Sequence, residues 1–228
     1  MFPIRFFEKH DEVLITERRL PHWAQAGTLC FMTWRTWDSM PPSVIAAWIE
    51  QRDAWLRRHG IDPGRPGWQA QIERLDASLQ IKYRDLVAER WDNRLDACHG
   101  ICPFRSPALR LIVENSLQHF QGDRYLLTDF VIMPNHVHLI AAFEDPAAML
   151  RQAESWKHFT AVKLNRELRR KGRFWETDGF DHLVRGPDQY DHFRRYLAEN
   201  PKLANLQPEE YTHFSMKVVD SLRESNRP

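Results

Sequence analysis

Two histidines one residue apart, His136 and His138, sit in the run Phe130-Val131-Ile132-Met133-Pro134-Asn135-His136-Val137-His138-Leu139-Ile140. Apolar and β-branched residues flank a Met-Pro-Asn break, which is the pattern of two buried strands joined by a tight turn. Pro134 cannot take the positive φ of a primed two-residue turn, so the connection has to be slightly longer than Pro-Asn. Side chains alternate along a strand, and that sends both imidazoles to one face. Such a pair is either two ordinary strand histidines or half of a metal site. Its place directly after a turn, at the end of an apolar strand where a cavity can form, favours the metal. A second group of polar side chains lies in Tyr190-Asp191-His192-Phe193-Arg194-Arg195-Tyr196-Leu197-Ala198-Glu199-Asn200-Pro201. His192, Tyr196 and Asn200 are four apart and stack on one helix face, so a phenol stands one turn from an amide. Alone, Tyr196 reads as a half-buried core residue and Asn200 as the residue that closes a helix before proline. Beside a His-x-His strand the combination gains meaning.

The elements that must hold these groups follow from periodicity. Residues 1–22 form a charged lead-in without a clear period, and Gly27 to Arg35 is a strand candidate. Pro41-Pro42-Ser43 starts a helix. From about 51 to 96 the character changes: charged residues interleave with Trp55, Trp68, Tyr83 and Trp91 around the loop Asp62-Pro63-Gly64-Arg65-Pro66-Gly67, as in a helical insertion with a broken middle. Ser106-Pro107-Ala108 opens a helix with Leu109, Ile112, Val113, Leu117 and Phe120 at helical spacing. Strands follow from Tyr125 to Ile132 and from His136 to Phe143. Asp145-Pro146-Ala147 caps a helix running to about Arg170, and Gly172 stops it. Phe180 to Val184 is a short strand, and Gly186-Pro187-Asp188 begins a last helix ending near Asn200-Pro201. The order gives an α+β fold: a ferredoxin-like βαββαβ core with an antiparallel sheet, plus an extra C-terminal helix that carries Tyr196. Residues 1–228 read as one domain with an insertion and a peripheral tail at about 205–228.

The string Met133-Pro134-Asn135-His136-Val137-His138 with a downstream Tyr196-x-x-x-Asn200-Pro201 resembles the HUH-type single-tyrosine transposases, and within them the REP-associated tyrosine transposases. The resemblance covers about residues 18 to 40 and 96 to 206. It is also carried by Arg19-Leu20-Pro21-His22-Trp23, by Trp156-Lys157-His158-Phe159-Thr160-Ala161 with Asn165, and by Phe174-Trp175 with Phe180-Asp181 and Arg185. The insertion at 51–96 departs from the shorter members. The resemblance implies His136 and His138 as metal ligands, Tyr196 as nucleophile and Asn200 in the place of the polar third ligand. It further implies single-stranded DNA with imperfect hairpins as substrate, a 5′-phosphotyrosine intermediate with release of a 3′-hydroxyl, and no nucleotide cofactor. These residue types suit that chemistry. A phosphodiester repels anionic nucleophiles, so a divalent ion has to neutralise and orient it. Two imidazoles and an amide oxygen suit Mg²⁺ or Mn²⁺. A phenol with an ordinary pKa of about 10 must be activated by its site.

Composition bounds the remaining classes. Of the 228 residues 43% are hydrophobic and the formal net charge is +1, so any nucleic-acid surface is local. The best local feature is Lys163, Arg166, Arg169, Arg170, Lys171 and Arg173 with only Glu167 among them, either a phosphate-tracking stripe or a solvated basic face. Trp156 and Trp175, with Phe159 and Phe174, flank it and are candidates for stacking unpaired bases. Three cysteines, Cys30, Cys98 and Cys102, are too few for a disulfide framework and fit a reducing cytoplasm, where the resemblance to DNA-cleaving enzymes implies a nucleoid-associated protein. Cys98-His99-Gly100-Ile101-Cys102 lacks the second ligand pair of a structural zinc site. No signal peptide or membrane span is expected. Monomer and homodimer are both open. The competing classes are a DNA-binding regulator that no longer cuts and a small-molecule metal hydrolase. The hydrolase fares worse, because two-histidine phosphoesterases repeat a motif that occurs once here.

Overall fold

The computed structural model describes residues 4–17, 21–83, 86, 95, 97–177 and 179–216. They divide into two compact units, residues 1–37 with 101–228, and residues 38–100. The insertion expected at 51–96 falls inside the second unit.

The first unit is built on a five-stranded antiparallel sheet in the order β6-β3-β5-β4-β7, with β3 Leu29–Arg35, β4 Leu126–Ile132, β5 His136–Ala142, β6 Phe180–Leu183 and β7 Thr212–Ser215. Its helices are α2 Pro107–Gln118, α3 Pro146–Glu167 and α4 Pro187–Leu203. The four strands β3, β4, β5 and β6 with α2 and α3 make the expected βαββαβ unit, and the fold is α+β as read from the sequence. The sheet is buried on both faces. Met32, Trp34, Phe130, Val137 and Leu139 pack with Val113 and Leu117 of α2 and with Met149, Trp156 and Leu164 of α3. Phe31, Val131, Met133 and Ile140 pack with Tyr190 and Leu197 of α4 on the opposite face. Each fully buried Leu, Ile or Phe here contributes about 1.5–3 kcal/mol, and this places α4 over the histidine-bearing side of β5.

Several expectations change. The lead-in contains a two-stranded antiparallel sheet, β1 Leu14–Glu17 with β2 Pro21–Ala24. The segment expected as a peripheral tail instead supplies β7, which pairs with β4 from Asp129↔Ser215 to Ile132↔Thr212. One apolar residue in Thr-His-Phe-Ser is too little for a strand pattern, and an edge strand that pairs on one side only needs little more. Residues 217–228 of that tail, and Arg19 and Leu20 of the Arg-Leu-Pro-His-Trp motif, lie outside the described residues. α3 ends at Glu167 rather than near Arg170, with Arg169 at φ 50°. α4 runs past Pro201 to Leu203, so Asn200 is inside the helix and does not close it. A proline there forfeits a single bond near a helix end, and Asn205 at φ 53° makes the cap, with Leu206 N donating to Pro201 O at 2.9 Å.

The second unit carries α1 Pro42–Arg58, a loop over 59–68 and a short helical turn at Gln69–Ile72. Trp48, Trp55 and Trp68 are half-buried, and Trp91 lies outside the described residues. The Arg52 guanidinium lies 5.3 Å from the Trp48 ring centroid and 5.2 Å from that of Trp68, and Trp55 stacks on His59 and meets Tyr83.

Candidate functional site

β5 brings His136 and His138 to one face, with ring centroids 4.7 Å apart. Register places Arg35 opposite His136, Thr33 opposite His138 and Phe31 opposite Ile140, so these share the face. The connection between β4 and β5 is Met133-Pro134-Asn135, three residues long, closed by Met133 N donating to His136 O at 2.9 Å. It is held from two sides, since Thr36 N donates to Asn135 O at 2.8 Å and Phe104 N to Pro134 O at 3.0 Å.

That fixed loop matters for the chemistry of the rings. His136 Nδ1 donates to Asn135 Oδ1 at 2.8 Å, an acceptor-only atom, which leaves the lone pair on Nε2. His138 Nδ1 is 2.6 Å from Thr33 Oγ1, which accepts its proton in the tautomer that puts the lone pair on Nε2 in the same way. Burial holds both imidazoles neutral. Desolvation, joined by the neighbouring His138, pushes His136 well below its ordinary value, and desolvation takes His138 down to about 3. Neutral rings with Nε2 lone pairs are what a metal ion requires.

Tyr196, half-buried on α4, reaches this pair. Its Oη is 3.5 Å from His138 Nε2, long for a hydrogen bond and short enough for contact, and the two rings meet edge to face at 5.3 Å. Asn200, one turn on, is 0% exposed, and neither its Oδ1 nor its Nδ2 has a hydrogen-bond partner. A buried amide left open costs about 1–3 kcal/mol, which a ligand would relieve. Among the described residues no three or more His, Cys, Asp or Glu side chains gather, so an ion here has to draw on an amide or hydroxyl oxygen as well. His136, His138 and Asn200 fit that need.

The other described tyrosines in the core do not compete. Tyr190 is buried, its Oη donates to Asp129 Oδ2 at 3.3 Å, and burial followed by the Asp129 charge raises its pKa far above the usual phenol value. Tyr125 Oη donates to Leu117 O at 2.7 Å inside the opposite core.

Sequence reasoning missed what fixes α4. Asp129 is 1% exposed and accepts from Arg194 Nε at 3.0 Å, Ser215 Oγ at 2.6 Å and Tyr190 Oη. A register shift between Leu127 and Asp129 turns the carboxylate to the α4 side. Arg194 is two residues from Tyr196, so this pair of a half-buried guanidinium and a buried carboxylate ties the helix to the sheet beside the phenol. A charge inside the apolar strand Leu-Leu-Thr-Asp-Phe-Val-Ile was the available signal. Thr33 gave none, being one threonine in an ordinary strand.

The expected DNA surface divides. Trp156 (2% exposed) and Trp175 (4%) belong to the core and cannot stack bases, which corrects the expectation. Trp156 Nε1 donates to Ser116 O at 3.1 Å, and Trp175 Nε1 to Thr160 Oγ1 at 2.9 Å. Both are large rings on inward positions, where apolar area outweighs any surface role. Lys163, Arg166, Arg169, Lys171 and Arg173 are exposed and Arg170 is half-buried. Arg166 pairs with Glu167 at 3.7 Å and Arg173 with Glu176 at 3.2 Å. The loop after α3 runs along the end of β3, with Glu176 N donating to Arg35 O at 2.8 Å and Trp37 N to Phe174 O at 2.9 Å. Arg173 therefore comes to the end of the sheet where His136 lies.

No protein-family model matches the chain, and no curated protein matches it. Among solved structures, a REP-associated tyrosine transposase bound to a REP hairpin aligns over 82% of this chain and 73% of that one, at 14% identity and a TM-score of 0.38. No helix among the described residues is long and apolar enough to cross a membrane.

Proposed function

We propose that this protein is a metal-dependent nuclease and strand transferase of single-stranded DNA in which Tyr196 is the nucleophile. The observation that carries the reading is the approach of Tyr196 Oη to 3.5 Å from His138 Nε2, on a face where both histidines turn Nδ1 back onto oxygen. In the proposed reaction Tyr196 Oη gives up its proton and bonds to phosphorus, the P–O3′ bond breaks, and the departing oxygen takes a proton to become a free 3′-hydroxyl. The 5′ phosphate stays esterified to Tyr196. Attack by a 3′-hydroxyl reverses these steps and reseals the strand, so no nucleotide hydrolysis is needed. His136, His138 and Asn200 would hold a Mg²⁺ or Mn²⁺ ion, which when bound neutralises the phosphate and polarises it for attack. The buried face excludes water from the ester, and the Asp129–Arg194 pair keeps Tyr196 over the histidines. That the strand carries a hairpin rests on the motif resemblance, and the exposed cations from Lys163 to Arg173 are the proposed backbone contacts.

The test is a denaturing gel of protein incubated with a pool of single-stranded hairpin oligonucleotides and Mn²⁺. The parent protein should give a slow covalent band that EDTA abolishes. Tyr196→Phe, which removes one oxygen, should fold, shift DNA on a native gel and give no covalent band. A band that survives in Tyr196→Phe, or a nucleotide mapped to Tyr190, overturns the assignment. A parent protein that shifts DNA without any band is a regulator.

A further inference from the structure

We infer that Phe180 is a stacking shelf for an unpaired nucleobase of the strand held at Tyr196. This rests on the DNA-cleaving reading above and adds a base-recognition position to it. β6 is an edge strand, and its register sets Phe180 opposite Thr33, which is itself opposite His138. Phe180, Thr33 and His138 thus form one row across the site face, and Phe180 stands two strand spacings, roughly 10 Å, from His138. At about 3.4 Å per nucleotide along a stacked strand, a phosphate at His138 lies about three nucleotides from that position.

Rings fill the way between. Tyr196 meets Phe31 at 6.0 Å, Phe31 stacks on His138 at 5.6 Å and on Phe193 at 4.4 Å, and Phe31 meets Phe180 edge to face at 6.4 Å. The inner members are buried or half-buried. The outer end of the row is not: Phe180 is 51% exposed. Phe180 thus lies open at the end of a row whose other rings are covered.

The occupant is a base, because Phe180 offers a flat ring in the same row as His138, beside the nucleophile, which suits the π-face that every base presents. A docked protein would need a wider apolar face.

Fluorescence anisotropy in EDTA separates stacking from cleavage. The probes are a labelled dT oligonucleotide of about twenty nucleotides and an abasic oligonucleotide of the same length. Phe180→Ala should weaken dT binding about five-fold or more, leave binding of the abasic strand unchanged, and be restored by Phe180→Trp. Parent-like dT binding by Phe180→Ala overturns the shelf, and so does an equal loss on both probes. The covalent band reports separately on Tyr196. A loss confined to dT in a protein that forms no band keeps the shelf and removes the nuclease, and a band with unchanged dT binding does the reverse.

Discussion

On one face of the sheet the buried polar atoms are mostly closed off inside the fold. Trp156 Nε1 finds Ser116 O, Trp175 Nε1 finds Thr160 Oγ1 and Tyr125 Oη finds Leu117 O, with Trp34 Nε1 and Asn165 Oδ1 among the exceptions. On the other face the amide of Asn200 is buried with both polar atoms unbonded, and two imidazoles use Nδ1 internally, with His138 Nε2 turned to the phenol of Tyr196. The same strands supply both faces, and β5 alternates between them residue by residue. The difference teaches where stability and chemistry have been separated. Under α2 and α3 the side chains are spent on packing. Under α4 the amide of Asn200 is buried and left unbonded, an arrangement that costs folding energy and that the proposed metal ion would relieve.

Single substitutions on the two faces should therefore fail in different ways. The largest effect belongs to the α4 face. His136→Ala or His138→Ala should take cleavage in the denaturing-gel assay below detection while hairpin binding stays within a few-fold, because in the proposed reaction these rings hold the ion at the scissile phosphate and do not contact the length of the strand. If both variants cut at the parental rate in EDTA, the two faces do not differ in the way described.

Trp156→Ala sharpens the contrast from the other side. It should lower stability by about 3–5 kcal/mol, read as a shift of the urea midpoint, through the loss of a large core ring and its hydrogen bond. The folded fraction of that variant should still cleave. Weakened DNA binding with an unshifted midpoint would return Trp156 to the role its sequence neighbourhood suggested.

The smallest effect concerns the solvent side of α3 and the loop after it. Replacing Arg169, Arg170 and Lys171 with Ala should leave the urea midpoint unmoved and reduce the slope of log affinity against log salt by about 0.7 for each phosphate these cations neutralise. An unchanged slope makes this a solvated basic face and leaves DNA binding to the α4 side alone.

Much of the site was legible because its signals are local. The alternation that puts His136 and His138 together, the four-residue spacing of Tyr196 and Asn200, and the order of strands and helices all follow from periods of two and 3.6 residues. The inward side of Trp156 and Trp175 was not legible, since a helix or loop next to basic residues can turn an aromatic ring either way until the sheet beneath it is known. β7 was hidden because an edge strand needs so little pattern of its own. Asp129 shows the limit most plainly. The residue was visible in the chain, but which face it served depended on a register shift in β4, and its partners come from Arg194 and from Ser215, 86 residues away. The sequence by itself determined which groups could do chemistry and which local elements carry them. Only the tertiary structure decided which groups meet, which tautomer Asn135 imposes on His136, and which helix is fixed over the histidines. Those outcomes depend on pairing between distant segments, and local periodicity holds no record of it.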